Sequence, residues 1–139
     1  FMRVLVDTNI ILDVWLDRSP FVDESLIVVG GAEVGKFEGF LCGTTITTLF
    51  YLGSKVLGQD VTRKELKKLL SIFEVCNVNR VVLDRALESS MTDYEDAVLN
   101  ESGYVHGVDL IVTRNLKDYK KSSVMAVGCS ELIELRKLP

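Results

Sequence analysis

The stretch RVLVDTN, residues Arg3–Asn9, decides the fold of this chain. Its apolar run ends abruptly at Asp7, and a second apolar run begins at Ile10. The first run is too short to cross a membrane, but it has the length of a strand buried on both faces of a parallel sheet. Ligands of such sheets bind beyond the carboxyl ends of the strands, so we predict that Asp7 lies at a binding edge.

The length and composition predict one domain over residues 1–139. At 47% hydrophobic residues, the chain has enough apolar side chains for a substantial core. Its longest apolar stretch is much shorter than a membrane-spanning helix, and no basic segment precedes an apolar one at the amino terminus. We therefore expect no membrane segment and no secretory signal. Cys42, Cys76 and Cys129 are odd in number and lie in apolar runs, which predicts buried thiols in the cytoplasm rather than disulfides or a zinc site.

The net charge of -4 argues against a protein whose whole surface binds nucleic acid. It leaves room for a local basic face, because the summed charge hides its distribution. Each basic cluster has two interpretations, a solvated face or a nucleic-acid contact. The two clusters comprise Arg63, Lys64, Lys67 and Lys68, and Arg114, Lys117, Lys120 and Lys121.

Predicted strands alternate with predicted helices along the chain, which indicates right-handed crossovers and a parallel sheet covered on both faces. Ser19–Pro20 has the composition of a helix start, and Thr62–Glu65 and Thr92–Glu95 have the pattern of capping boxes. The fold class is therefore α/β. The predicted strands are 3–6, 40–42, 73–78, 109–112 and 124–127, and the predicted helices are 19–32, 45–57, 62–72, 81–88, 92–107 and 131–136.

Two acids occupy one face of the predicted helix 92–107. Asp93 and Asp96 are three positions apart, and Asn100 continues their face one turn later. A structural role explains acids in a first turn equally well, because each stabilises the helix dipole by about 0.3–1 kcal/mol.

The strand 109–112 repeats the pattern of the first strand. It is followed by Thr113, then Asn115, with Asp118 three positions further on. If this strand neighbours the strand of Asp7, these side chains and the Asp93/Asp96 face enclose one pocket. Its ligands are all oxygen atoms, which suit Mg²⁺ or Mn²⁺. The single histidine is predicted to be structural, so zinc and Ser-His or Cys-His catalysis lack support.

Taken in order, the motifs VDTN (6–9), DYEDA (93–97) and IVTRNLKDY (111–119) resemble the PIN domain family, as does RSPF at 18–21. The resemblance covers nearly the whole chain and is closest to a bacterial branch. It implies a PIN-like three-layer α/β/α fold with a central parallel five-stranded sheet. It also implies a metal-dependent ribonuclease that leaves a 5′-phosphate, often the toxin of a toxin–antitoxin pair.

The resemblance also assigns the site residues. Asp7 matches the first acidic ligand of the family and Asp96 the third, while Asn115 or Asp118 matches the fourth region. The second motif departs from the family, because many members carry Glu where this chain has Thr48. A hydroxyl binds metal only weakly or through water, which puts the strength of catalysis in question.

We thus predict an endoribonuclease that depends on Mg²⁺ or Mn²⁺. Asp7 and Asp96 are predicted to hold the ion, with Asp93 or Asp118 helping directly or through water. The remaining predicted roles are catalysis for Asn115, phosphate contact for Arg114 or Lys117, and orientation of the ligands for Thr8, Asn9 and Thr113.

The expected partners are RNA, an antitoxin protein and a second copy of the chain in a homodimer. Two alternatives stay open. One is a catalytically weak or inactive PIN-like domain that binds RNA or a protein. The other is a receiver-like signalling domain with an acidic Mg²⁺ pocket, although this chain lacks adjacent acids after its first strand.

Overall fold

One five-stranded parallel sheet forms the centre of the computed structural model, which describes all residues 1–139. Seven α-helices and one short 3₁₀ helix, Leu116–Tyr119, surround the sheet. In chain order the strands and α-helices are β1 (Arg3–Val6), α1 (Thr8–Trp15), α2 (Val22–Glu33), β2 (Glu38–Cys42), α3 (Gly43–Leu57), α4 (Gln59–Ile72), β3 (Glu74–Cys76), α5 (Arg80–Leu87), α6 (Tyr94–His106), β4 (Leu110–Val112), β5 (Met125–Val127) and α7 (Cys129–Arg136).

The strand order β3-β2-β1-β4-β5 puts β1 in the middle of the sheet. In the parallel register, Leu5 lies opposite Phe40 of β2 on one side and opposite Ile111 of β4 on the other. The chain builds the sheet outward from β1 to β3, then crosses back to place β4 on the other side of β1. The strand order therefore reverses between β1 and β4, and open parallel sheets bind ligands at the carboxyl ends of strands flanking such a reversal.

Alternate residues of β1 enter two separate cores, one on each face of the sheet. Val4 and Val6 are fully buried with apolar side chains of α1, α2, α3, α4 and α7. Leu5 points to the opposite face and packs with α5 and α6. Burying a side chain of this size contributes about 1.5–3 kcal/mol, so both faces need a helical layer. The predicted three-layer α/β/α fold with a central parallel five-stranded sheet is confirmed.

All five predicted strands are present, but two predicted helix starts were wrong. Helix α2 begins at Val22, and its N-cap residue Phe21 makes no side-chain capping bond. Helix α4 begins at Gln59, immediately after Gly58. The positive φ of Gly58, 81°, lets the chain turn directly from α3 into α4, so Thr62 lies inside the helix and its hydroxyl donates to the carbonyl of Gly58 over 2.7 Å.

Two further expectations about helices need correction. The N-cap of α6 is Asp93 and not Thr92, because the Asp93 carboxylate accepts the bond from the amide of Asp96. Helix α1 was not predicted, since its apolar side chains at 10–12 are consecutive and all buried.

The three cysteines are free and buried, as predicted. None of the helices is both long and apolar enough for a membrane crossing.

Candidate active site

An open cleft of about 310 Å³ lies at the carboxyl ends of β1 and β4, where the strand order reverses. Only three of its 14 lining residues are hydrophobic. The cleft gathers side chains from α1, α3, α6 and the loop after β4, so no single segment of the chain forms it. Its acidic members are Asp7, Asp93, Glu95, Asp96 and Asp118.

Asp7 is the most deeply buried carboxylate of the cleft, with 6% of its surface exposed. It follows β1 directly and caps α1, because its Oδ1 accepts a bond from the amide of Thr8 over 2.8 Å. Its Oδ2 accepts a bond from the hydroxyl of Thr113 over 2.7 Å. Burial raises the pKa of Asp7, and the nearby Glu95 raises it further, while the two hydrogen bonds act in the opposite direction. Each oxygen keeps a second lone pair for a ligand in the cleft.

Asp96 lies in the first turn of α6 and is partly buried. Burial, followed by the charges of Asp7 and Asp93, raises its pKa to about 7. The phenol of Tyr119 donates a hydrogen bond to Oδ1 of Asp96 over 3.2 Å and so partly stabilises the charged form. Asp7 and Asp96 therefore repel each other when both are ionised and no cation lies near them.

The sequence interpretation missed two residues of this cluster, Glu95 and Tyr119. Glu95 lines the cleft and raises the pKa of Asp7. Tyr119 is 3% exposed, and burial together with Asp7 and Asp96 raises the pKa of its phenol. Glu95 could have been predicted, because it lies between Asp93 and Asp96 in the DYED motif. The signal for Tyr119 was weaker, because its bond to Asp96 joins two segments that are 23 positions apart.

Three threonines of α3, at positions 44, 45 and 48, also line the cleft. The hydroxyls of Thr8 and Thr45 lie 2.8 Å apart and share a hydrogen bond. Thr48 is partly buried and lines the cleft together with Asp7 and Asp96. The position at which the family resemblance implies Glu therefore faces the acidic cleft rather than the core.

Several other predicted residues also lie at the cleft. Thr8, Asn9 and Asn115 line it. The Oδ1 atom of Asn9 is engaged, because Arg18 donates to it over 3.4 Å. Thr113 lies beneath the cleft, fully buried, where its hydroxyl contacts Asp7.

Arg114 does not line the cleft. Its Nε donates to Oδ2 of Asp13 over 2.9 Å and a second guanidinium nitrogen donates to Oδ1 over 3.2 Å, while Asp13 is completely buried. The guanidinium also lies 4.1 Å from the centre of the Phe21 ring. The Nε atom of Arg18 lies 2.9 Å from Oδ1 of Asp13 and forms an ion pair with it, but its N–H makes no hydrogen bond. Arg114 therefore joins the loop after β4 to α1 and α2, which does not fit the phosphate contact predicted for it.

Lys117 and Asn100 also lie outside the cleft. Lys117 lines a neighbouring groove that shares Asp93 and Asp118 with the cleft. Asn100 does not continue the acidic face of α6 into the cleft, contrary to expectation, because its Oδ1 accepts a bond from the amide of Val124. Asn100 thus connects α6 to the residue before β5.

The donor atoms of the cleft are oxygen atoms, and no three carboxylates converge closely enough to hold an ion by themselves. Mg²⁺ commonly binds through one or two carboxylates, with water and substrate phosphate completing its ligands. The charge of Asp7 raises the pKa of Asp96, so a cation between the two carboxylates would favour their ionised forms. The residues present therefore fit a hard divalent cation.

Known proteins share this sequence pattern and this fold. The sequence model of the PIN domain matches residues 3–117. Ribonuclease VapC1 of Aquifex aeolicus (strain VF5) is 23% identical over 137 residues, which cover 95% of this chain and 94% of that protein.

Among solved structures, VapBC2 from Rickettsia felis bound to a DNA fragment from its promoter contains a similar chain. The TM-score is 0.72 at 14% identity, over 91% of this chain and 98% of the other. A toxin–antitoxin complex from Klebsiella pneumoniae gives a TM-score of 0.68 at 22% identity, over 91% and 97%. These two likenesses establish a shared fold.

Proposed function

This chain belongs to the PIN domain family, and from that premise we propose that it is a divalent-metal-dependent endoribonuclease. One observation carries the proposal, namely the pairing of Asp7 and Asp96 in an oxygen-lined cleft where the strand order reverses. The ribonuclease from Aquifex aeolicus supports the reaction class, because its similarity extends over 95% of this chain.

Asp7 and Asp96 would hold the ion, with Asp93 or Asp118 helping directly or through water, and Asn115 offers a further oxygen at the rim. A bound Mg²⁺ or Mn²⁺ lowers the pKa of a water molecule and neutralises charge that develops on the phosphate. The protein fixes its ligands before substrate arrives. Thr113 orients Asp7 and Tyr119 holds Asp96, so each carboxylate has its own hydrogen-bond donor.

Cleavage of an unstructured RNA tests this proposal. The purified protein should cut single-stranded RNA in Mg²⁺ or Mn²⁺, excess chelator should abolish the cleavage, and the products should carry a 5′-phosphate. Cleavage that persists in chelator would refute the metal dependence, and intact RNA under all these conditions would refute the ribonuclease.

Thr48 favours a second candidate, a weakly active or inactive PIN-like domain that binds RNA or a protein. The residue faces the cleft with a neutral hydroxyl in place of the expected Glu. RNA that binds to the protein and stays uncut in Mn²⁺ would favour this second function. Cleavage that depends on Asp7 and Asp96 would exclude it.

We also propose that the chain acts as the toxin of a toxin–antitoxin pair in the cytoplasm. Structures of similar fold include a toxin–antitoxin complex, which supports an antitoxin partner, and the family resemblance supports a homodimer. Co-purification of the tagged chain from its native host tests the antitoxin. Light scattering at several concentrations tests the dimer. A chain that stays alone and monomeric in both experiments contradicts these two assignments.

A further inference from the structure

A lysine-lined groove of about 420 Å³ continues the acidic cleft on the side of the 3₁₀ helix. We call it the lysine groove and define it by Lys117, Lys120 and Lys121, which line it together with Ser90 and Thr92. The lysine groove and the cleft are contiguous, because Asp93 and Asp118 line both. A ligand that lies in the cleft can therefore extend into the groove.

The three lysines are exposed and carry free charge. The ion pairs of the chain involve other basic residues, and no carboxylate lies within 4.0 Å of these three ammonium groups. The 3₁₀ helix has three residues per turn, so Lys117 and Lys120 project from the same side of it. Together with Lys121 they give the lysine groove three cations.

A polyanion such as RNA needs positively charged side chains beside this cleft in order to bind there. The cleft holds five acidic side chains and the whole chain carries a net charge of -4, so both repel a phosphate backbone. Local cations beside the cleft offset this repulsion and raise the local concentration of the polyanion. Beyond Lys121 the next pocket carries mixed charge, because Asp84, Glu88 and Glu101 line it together with Arg85 and Lys121.

The other basic cluster of the chain is placed differently. Lys64, Lys67 and Lys68 of α4 line neither the cleft nor the lysine groove. Lys68 pairs with Glu65 at 3.5 Å, and Arg63 lies 5.1 Å from the centre of the Phe50 ring. Of the two interpretations open for each cluster, a solvated face fits the cluster on α4.

We infer that the lysine groove holds the phosphate backbone of single-stranded RNA on one side of the bond that is cut. The inference rests on the proposed ribonuclease function and adds the path of the substrate to it. Lys117, Lys120 and Lys121 are RNA-binding residues in this assignment, and their role is to position the backbone over the cleft.

A charge-matched pair of triple variants tests the inference. The first carries Lys117→Gln, Lys120→Gln and Lys121→Gln, and the second carries Lys64→Gln, Lys67→Gln and Lys68→Gln. Both lose the same net charge from exposed positions. The probe is a fluorescein-labelled single-stranded RNA of about 12 nucleotides, titrated in chelator at several salt concentrations, so that binding is measured without cleavage.

We expect the groove variant to bind the RNA at least about 10-fold more weakly than the parent, with a salt slope smaller by about 2, since each phosphate contact on a single strand contributes about 0.7. The α4 variant should stay within about twofold of the parent. A third variant with Lys117→Arg, Lys120→Arg and Lys121→Arg should bind the RNA as the parent does, because it keeps the charge.

Each remaining outcome overturns the inference. Equal losses in both triple variants would indicate a general charge effect, and unchanged RNA binding in the groove variant would remove the groove from the RNA path. If that variant instead loses a co-purified protein partner, the groove belongs to the partner. In all three cases a parent that still cuts RNA leaves the proposed function standing. A parent that neither binds nor cuts RNA refutes both.

Discussion

The hydroxyl of Thr113 donates a hydrogen bond to Oδ2 of Asp7 over 2.7 Å, although the two residues lie 106 positions apart. The pairing of β1 with β4 creates this contact, since each residue directly follows its strand. The same hydroxyl accepts a bond from the amide of Asn115 over 3.1 Å. One fully buried side chain therefore fixes both Asp7 and the start of the loop that carries Asn115 and Asp118.

Replacing the Thr113 hydroxyl by a methyl group should weaken both the fold and the site. In Thr113→Val the shape is kept, while a buried carboxylate oxygen loses its donor and the Asn115 amide loses its acceptor. We expect the free energy of unfolding to fall by about 1–3 kcal/mol. We also expect weaker Mn²⁺ binding, because the lost bond favoured the charged form of Asp7. Urea denaturation and calorimetric titration measure the two effects. Thr113→Ser, the control, should resemble the parent, and equal Mn²⁺ affinities of parent and Thr113→Val would contradict the orienting role.

The raised pKa of Asp96 predicts how the stability of the metal-free protein depends on pH. Its folded value is about 7, against 3.8 for an unperturbed aspartate. Between these values the folded state keeps a proton that the unfolded chain has released. The free energy of unfolding should therefore fall as pH rises from about 4 to about 7 and level off above that range. Asp7 contributes in the same direction, because its pKa is also raised.

Urea denaturation in chelator across that pH range measures this dependence. Asp96→Asn should flatten the fall and raise the melting temperature near neutral pH, and the exposed control Asp60→Asn should leave the fall unchanged. A parent protein whose stability rises steadily between about pH 4 and about pH 7 would show that the two carboxylates are not destabilised in the fold.

The strands and the acidic edge were predictable because local patterns encode them. Buried parallel strands appear as short apolar runs, and Asp7 and Thr113 stand at the first polar positions after two of them. Helix α1 was not predictable from helical periodicity of apolar residues. Its three successive apolar residues at 10–12 are all buried, so no polar face interrupts them. The start of α4 depended on Gly58, whose positive φ removes the need for a capping side chain.

The role of Arg114 could not be predicted from the sequence. In the sequence alone, a basic residue that follows a strand cannot be distinguished from a phosphate ligand. Its actual partner, Asp13, lies 101 positions earlier in a helix that was not predicted. Tyr119 was missed for the same reason, because its contact with Asp96 arises only when the loop after β4 packs against α6.

Restoring a carboxylate at position 48 should strengthen the site. Thr48 lines the cleft together with Asp7 and Asp96, so Thr48→Glu adds a sixth acidic side chain to the five that already line it. We expect a lower melting temperature without metal, tighter Mn²⁺ binding and faster RNA cleavage. Calorimetric titration with Mn²⁺ measures the affinity. Thr47→Glu is the matched control, because Thr47 is exposed on the same helix and does not line the cleft. If both variants bind Mn²⁺ as the parent does, Thr48 does not occupy the second ligand position of the family.

Loss of Arg114 should affect stability rather than RNA binding. Asp13 is completely buried and accepts two bonds from this guanidinium. Arg114→Ala leaves that carboxylate to Arg18 alone, so we expect a loss of up to about 3 kcal/mol in the free energy of unfolding. The Kd for single-stranded RNA should stay within about threefold of the parent, as no phosphate contact is removed. Arg114→Lys should recover only part of the stability, since lysine cannot make the two-bond contact. RNA binding that is lost in a folded Arg114→Ala protein but kept in Arg114→Lys would return Arg114 to the substrate path.

The cleavage rate of Asp96→Asn tests the metal-dependent ribonuclease most directly. Single-stranded RNA is incubated in Mn²⁺ with equal amounts of the parent, Asp7→Asn, Asp96→Asn and the exposed control Asp60→Asn. We predict that Asp7→Asn and Asp96→Asn cut at least about 100-fold more slowly than the parent, because each lacks a carboxylate that is proposed to hold the ion. The control should cut at the parental rate. If Asp7→Asn and Asp96→Asn cut the RNA as fast as the parent, the cleft between β1 and β4 is not the site of cleavage.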